Sequence, residues 1–331
     1  MSGEARLGEH EIIKLIQKRL TVMPDLPIPF GDDVSAAPLW GEGMAVLKTD
    51  MLVASTDVPP GMSLFAAARK AVVMNISDFA SKGVLPTAIV VALGLPKELA
   101  TEQAVTEIAN GLNAGAREYG AYVIGGDTNQ TQELIISISL FGTARSGLML
   151  RSGARGSDIL AVTGLFGKTA AGLRMLLDGG KASSSVRAAL EDAVYNPKAR
   201  LREGLALRGY DFVTASMDSS DGLAWSIHEL ARKSKVGFVI DKPPIAPEAQ
   251  EFGAQNNLDP LELALYGGEE YELVLTVKPG KFAEAQAVVQ TVGGCLIPIG
   301  HATFDRQVVL EIEGKRRKVE AKGWEHFKSH V

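Results

Sequence analysis

The chain has 331 residues, 46% of them hydrophobic and 22% charged, with a formal net charge of −5. That length holds two ordinary domains or one large one around a substantial core, and the acidic balance excludes a general nucleic-acid binder, which needs a basic excess. One cysteine excludes an intrachain disulfide framework, and the absence of both a leader and an apolar run near the roughly 20 residues of a membrane span leads us to expect a soluble, cytoplasmic protein.

Residues 7–20 have helical apolar spacing through Leu7, Ile12, Ile13, Leu15, Ile16 and Leu20, and the Pro24–Pro29 stretch ends that helix before Gly31-Asp32-Asp33. Met44–Leu47 reads as a strand running into Thr49-Asp50. Ser63 is a natural cap for a long helix to about Lys82, with Asn75 and Asp78 three residues apart on one face. Thr87–Leu95 is a strand, Thr101–Tyr119 a helix, and Tyr122–Ile124 a strand ending in a Gly125-Gly126-Asp127 turn. Leu134–Thr143 is a further strand, and Arg145–Asp158 a turn-rich boundary carrying Arg145, Arg151 and Arg155, which either face solvent or meet phosphate. Beyond it come the strand Ile159–Thr163, the helix Thr169–Leu177 and a polar loop at Lys181–Ser185. The strand Phe212–Met217 delivers Asp218 and Asp221. A helix over Leu223–Ser234, a strand over Val236–Ile240, a helix from Asp259-Pro260 and a strand over Tyr271–Val277 complete the reading. The expected fold is α/β (α+β), mixed sheets flanked by helices, without the regular spacing of a doubly wound sheet.

Asp33, Asp50, Asp78, Asp127, Asp218 and Asp221 stand near Gly, Ser, Thr or Asn in five separate segments, Asp218 and Asp221 sharing one. One aspartate so placed is a turn former or a cap. Six together would repel one another without cations, which points to a divalent-metal site handling polyphosphate. Gly164-Leu165-Phe166-Gly167-Lys168-Thr169 resembles a phosphate loop but has Val162 where the opening glycine belongs, so it reads as a strand–turn–helix junction. Cys295 reads as a small buried residue rather than a nucleophile. His326 and His330 stand four apart with no third ligand candidate nearby, and no nucleophile elbow suggests covalent catalysis.

The ordered motifs GDDV at Gly31, TDMLVAS at Thr49, NISDFASKG at Asn75, GGDT at Gly125, RSGARGSD at Arg151, TGLFGKTAAGL at Thr163, YNPKARL at Tyr195, DSSDGL at Asp218, GGEEYEL at Gly267 and GWEHF at Gly323 resemble thiamine-monophosphate kinases. These belong to the ATP-binding superfamily of aminoimidazole ribonucleotide synthetase. The resemblance implies a domain over residues 1–148 that binds metal and ATP and dimerises through its sheet, and a domain over 149–331 that completes the cleft. It implies Mg2+-dependent transfer of the ATP γ-phosphoryl group to thiamine monophosphate by a homodimer. Asp33, Thr49, Asp50, Asp78, Asp127, Asp218 and Asp221 would hold several magnesium ions. Tyr119, Gly126, Asp127, Arg151 and Ser220 would contact ATP, and Glu269 and Trp324 the acceptor. Three positions depart from the pattern: Lys48 replaces a Ser or Thr that helps bind metal, Asp57 stands where a substrate-contacting His is usual, and Glu270 replaces an Asp. The rivals are a cyclising ligase of the same superfamily, which would release ADP and phosphate only with its amide substrate, and a silent nucleotide or thiamine-phosphate sensor, which would not turn over.

Overall fold

A computed structural model describes residues 7–39, 41 and 43–327. The N-terminal half runs α1 (Glu9–Gln17), β1 (Ser35–Pro38), β2 (Met44–Val53), α2 (Ala54–Asp57), α3 (Leu64–Lys82), β3 (Pro86–Leu95), α4 (Glu102–Glu118), β4 (Tyr122–Gln130) and β5 (Ile135–Ala144). Its strands form one sheet in the order β1-β2-β5-β3-β4, antiparallel except for the parallel pair β3–β4.

The C-terminal half adds β6 (Ile159–Val162), α5 (Lys168–Asp178), α6 (Ser184–Tyr195), α7 (Leu201–Arg208), β7 (Val213–Asp218), α8 (Leu223–Ser234), β8 (Gly237–Ile240) and α9 (Pro247–Asn256). It continues through α10 (Pro260–Tyr266), β9 (Leu273–Val277), α11 (Phe282–Thr291), β10 (Ile297–Thr303), β11 (Val308–Ile312) and β12 (Lys315–Lys318). The second sheet is also mixed, ordered β12-β11-β8-β10-β6-β9-β7 with β8–β11 parallel.

Helix α3 organises the seam between the halves. Ser63 caps it by accepting from Ala66 N at 3.1 Å, and Gly83 ends it in the left-handed region. It packs on β2, β5 and α4 on one side and on β7 and α7 on the other. A helix enclosed in this way has no solvated face on which to leave charges. Lys70 and Lys82 are therefore buried, at 1% and 0% exposure, and each must find partners inside the protein. Thr101 caps α4 in the same way, through Ala104 N.

Several expectations need correction. Asp50 is not at a strand end, because β2 continues through Met51-Leu52-Val53 and pairs with β5 along its whole length. Gly125-Gly126-Asp127 is not a turn; it lies inside β4, where a Cβ on Gly126 would stand 2.1 Å from Val91 O of the neighbouring strand. The polar loop stops short at Ser183, where α6 begins, and α6, α7, α9 and α11 were not anticipated. Cys295 is exposed and donates to Thr163 O at 3.0 Å instead of filling the core. The first helix ends at Gln17 and buries none of its residues; it rests on the C-terminal half through stacking of His10 on Trp225, with centroids 4.6 Å apart. His330 lies outside the described residues.

Candidate active site

The inward face of β2, the C-terminal half of α3, the Gly31-Asp32-Asp33 loop and the end of β7 meet at the seam. One carboxylate oxygen from each of Asp33, Asp78 and Asp218 lies within 4.8 Å of the others, and all three residues are buried. Asp33 is fully engaged: Oδ2 accepts from Ser81 Oγ at 2.6 Å and pairs with Lys82 Nζ at 2.6 Å, and Oδ1 accepts from Arg151 Nε at 2.5 Å. Lys82 also reaches Asp32 at 2.7 Å and donates to Ser216 O at 2.7 Å, so its three protons are all used. Asp78 meets Lys48 Nζ at 2.8 Å, and Asp218 accepts from Ser77 Oγ at 2.7 Å.

The charges in this cluster do not balance. Burial raises Asp33, but Arg151 and Lys82 outweigh it and hold the carboxyl well below its ordinary range. Burial, with Asp218 and Asp33 adding repulsion, drives Asp78 well above its ordinary value despite Lys48. Burial and Asp33 push Asp218 up to about 6, and burial and Asp218 push Asp221 up to about 7. Lys48 is held in its charged form by Asp78 and Asp50, which overcome its own burial. Carboxylates in this state attract cations, and hard oxygens suit magnesium. Oδ1 of Asp78 and of Asp218 accepts no hydrogen bond among the described residues. Two buried polar atoms, Asn75 Oδ1 and Ser219 Oγ, also lack partners there. The donor set thus fits a hard divalent ion.

The other expected residues fall into two groups. Asp50 joins the cluster through Lys48, 4.0 Å away. Asp221, Glu269 and Trp324 are brought together by backbone bonds: Trp324 N donates to Asp221 O at 2.9 Å, Glu269 N to Ser220 O at 2.6 Å and Tyr271 N to Ser219 O at 3.0 Å. Glu269 and Tyr271 hold positive φ of 62° and 53°, a strained backbone on either side of Glu270. Glu269 pairs with Lys70 Nζ at 2.5 Å, tying this loop to α3.

The remaining residues are not gathered in. Thr49 lies on the face of β2 opposite Lys48 and Asp50, donating to Ile138 O at 2.9 Å, and Asp127 is exposed on β4 with Gly126. Tyr119 accepts from Ala199 N at 2.9 Å; Arg151, by contrast, does reach the cluster, where it is turned onto Asp33. The Asp57 carboxylate accepts from Val53 N at 2.7 Å, while its backbone carbonyl accepts a hydrogen bond from Lys70 Nζ at 2.8 Å. Glu270 accepts from Gly167 N at 2.6 Å and Thr169 N at 3.2 Å, so a carboxylate of the chain itself fills the α5 N-terminus that resembled a phosphate loop.

Lys70, Lys82 and Arg200 were missed. Arg200 forks onto Glu272, with Nε 2.7 Å from Oε2, beside Thr163. The available signal was cations in α3, a helix otherwise made largely of small and apolar residues with no polar face to carry them.

Two successive mixed α/β halves with an acidic seam define an AIR synthase related protein: the N-terminal domain model of that family matches residues 31–144 and the C-terminal domain model residues 156–313. A thiamine-monophosphate kinase of Nitrosopumilus maritimus is 37% identical over 98% of this chain and 100% of its own length. One of Pyrococcus horikoshii is 37% identical over 90% and 91%. A solved structure described as AaThiL complexed with AMPPCP and TMP matches with a TM-score of 0.85 at 29% identity, over 98% of this chain and 100% of that one. The chain belongs to the thiamine-monophosphate kinase family.

Proposed function

We propose that the protein transfers the γ-phosphoryl group of ATP to the phosphate of thiamine monophosphate, giving thiamine diphosphate and ADP. The observation that carries this reading is the buried Asp33–Asp78–Asp218 cluster, in a chain aligned over nearly its full length with a named kinase and with a complex of AMPPCP and TMP. Donor and acceptor are both anionic, so direct in-line transfer needs their charge screened and their geometry fixed more than it needs a nucleophile on the enzyme. Magnesium, when bound, supplies that screening.

On this reading several magnesium ions are held: Asp78, Asp218, Asp50 and Asp221 present oxygens around Asp33, while Thr49 and Asp127, which stand apart from that cluster, would hold an ion that comes with the nucleotide. Arg151, Ser220, Gly126 and Tyr119 form the ATP side. Glu269 and Trp324 orient the acceptor, with Asp57 near them, and Lys70 fixes where the Glu269 carboxylate stands. The N-terminal domain, 1–148, carries the metal and nucleotide, and 149–331 closes over them.

We also assign a homodimer formed through the first sheet. One face of that sheet is covered by α3 and α4, while Leu47, Met51 and Val90 stand exposed, at 44%, 54% and 45%. Among the described residues no helix is long and apolar enough to cross a membrane, and we place the enzyme in the cytoplasm. The test is ADP and thiamine diphosphate formation from ATP and thiamine monophosphate, with and without magnesium. Equimolar, magnesium-dependent products are expected; nucleotide binding with no product would sink the reading in favour of a sensor.

A further inference from the structure

The cations of the seam are not equivalent. Lys82 is consumed by the fold, spending its protons on Asp32, Asp33 and Ser216 O. Arg151 is likewise held on Asp33. Lys48 is different: it comes from the middle of β2, and among the described residues its one close ion pair is with Asp78, at 2.8 Å, with Asp50 at 4.0 Å. Within the triad, Asp33 meets two cations and Asp218 meets a hydroxyl, while among the described residues the Asp78 charge is met by Lys48 alone. A magnesium ion bound to Asp78 Oδ2 at about 2.1 Å would lie within about 5 Å of that ammonium, where like charges in a buried setting repel strongly. The two cations therefore compete for the same carboxylate oxygen.

We propose that the Lys48 ammonium is a resident cation of the carboxylate cluster, holding the place of one divalent ion, so that removing its charge opens one further divalent site on Asp78. The proposal rests on the magnesium-dependent reading above and adds to it a statement of stoichiometry. Asp78 Oδ1 stays available to the metal in the native chain, while Oδ2 belongs to the lysine. A chain built this way needs fewer metal ions in the seam than one with a neutral residue at position 48.

The test is to count bound Mn2+ by electron paramagnetic resonance, with a non-hydrolysable ATP analogue present, for wild type, Lys48→Met and Lys48→Arg. The methionine variant should bind one more Mn2+ per chain than wild type, and the arginine variant, which keeps the charge, the same number. Equal counts in wild type and the methionine variant overturn the proposal, as does a gained ion in the arginine variant. Should the methionine variant not fold, the native chain decides alone. Anomalous scattering from Mn2+-soaked crystals should place no ion on Asp78 Oδ2 and leave Lys48 paired there, whereas an ion at that oxygen with Lys48 displaced overturns it. The absolute count in wild type is a separate matter: no Mn2+ bound beside the nucleotide analogue defeats the magnesium reading, whereas the difference between variants judges Lys48.

Discussion

On one wall of the seam Asp33, Asp78 and Asp218 crowd together with too few cations, while on the other the loop over 267–272 is held by backbone hydrogen bonds, one capping carboxylate and the Lys70–Glu269 pair. The first region is under electrostatic stress and is stabilised by whatever positive charge comes to it. The second carries conformational stress, with Glu269 and Tyr271 at positive φ, and is stabilised by being tied down. The contrast separates two kinds of residue. Acids of the cluster can be neutralised at little cost to the fold and large cost to the chemistry; groups that hold either wall in place act on stability first.

The largest effect expected from this contrast is that of Asp218→Asn. Turnover should fall by about 100- to 1,000-fold or more, as when a group that stabilises transition-state charge is lost. Without metal, stability should be unchanged or higher, because a buried carboxylate raised by burial and by Asp33 has been replaced by a neutral amide that can still accept from Ser77 Oγ. Steady-state rates at saturating magnesium and a urea titration of the metal-free chain measure the two. Native turnover would remove Asp218 from the site, and a collapse in stability would show that it belongs to the supports.

Lys82→Met should give the opposite signature. It strips the shared ammonium from Asp32 and Asp33, leaving Arg151 as the close counter-ion of Asp33. Removing one partner from a buried ion pair costs about 3–5 kcal/mol, so the urea midpoint should drop sharply and metal should recover only part of it. A loss under about 1 kcal/mol would mean that other groups already neutralise the pair, and the two walls would then differ less than claimed.

How much of this was legible follows the same division. The acids could be found because Asp beside Gly, Ser or Asn is locally unusual, and Asp33, Asp78 and Asp218 were read from those neighbours alone. The cations that hold them were passed over, since a lysine in a helix is ordinarily solvated and only the lack of a polar face on α3 signals the burial of Lys70 and Lys82. The α3 cap was readable because the side chain and the apolar spacing agree at Ser63. The start of α6 was not, its buried stripe being only Val186, Leu190 and Val194 behind a run of serines. The strand β12, Lys-Arg-Arg-Lys, is fully exposed at a sheet edge and has no apolar alternation to reveal it. Gly125-Gly126-Asp127 misled because glycine, usually a turn residue, here admits a neighbouring strand.

Glu270 gives the smallest and most specific prediction, on the tied-down wall. Burial raises its carboxyl from 4.5 to about 7, although Gly167 N–H and Thr169 N–H favour the ionised form. Between these two values the folded chain binds more protons at this site than the unfolded chain does. The site's contribution is therefore fully present below about pH 4.5, declines as pH rises and is gone above about 7. Glu270→Gln keeps an oxygen for the two N–H groups and has no proton to lose, so its stability lacks this decline. The variant should therefore gain on wild type as pH rises from 5 to 8, by an amount of order 1–3 kcal/mol. Paired urea titrations at several pH values isolate the difference from every other titrating group. A constant difference across that range would mean that Glu270 is ionised throughout, as a permanent anion on the α5 N-terminus, and that its charge rather than its proton anchors the loop carrying Glu269.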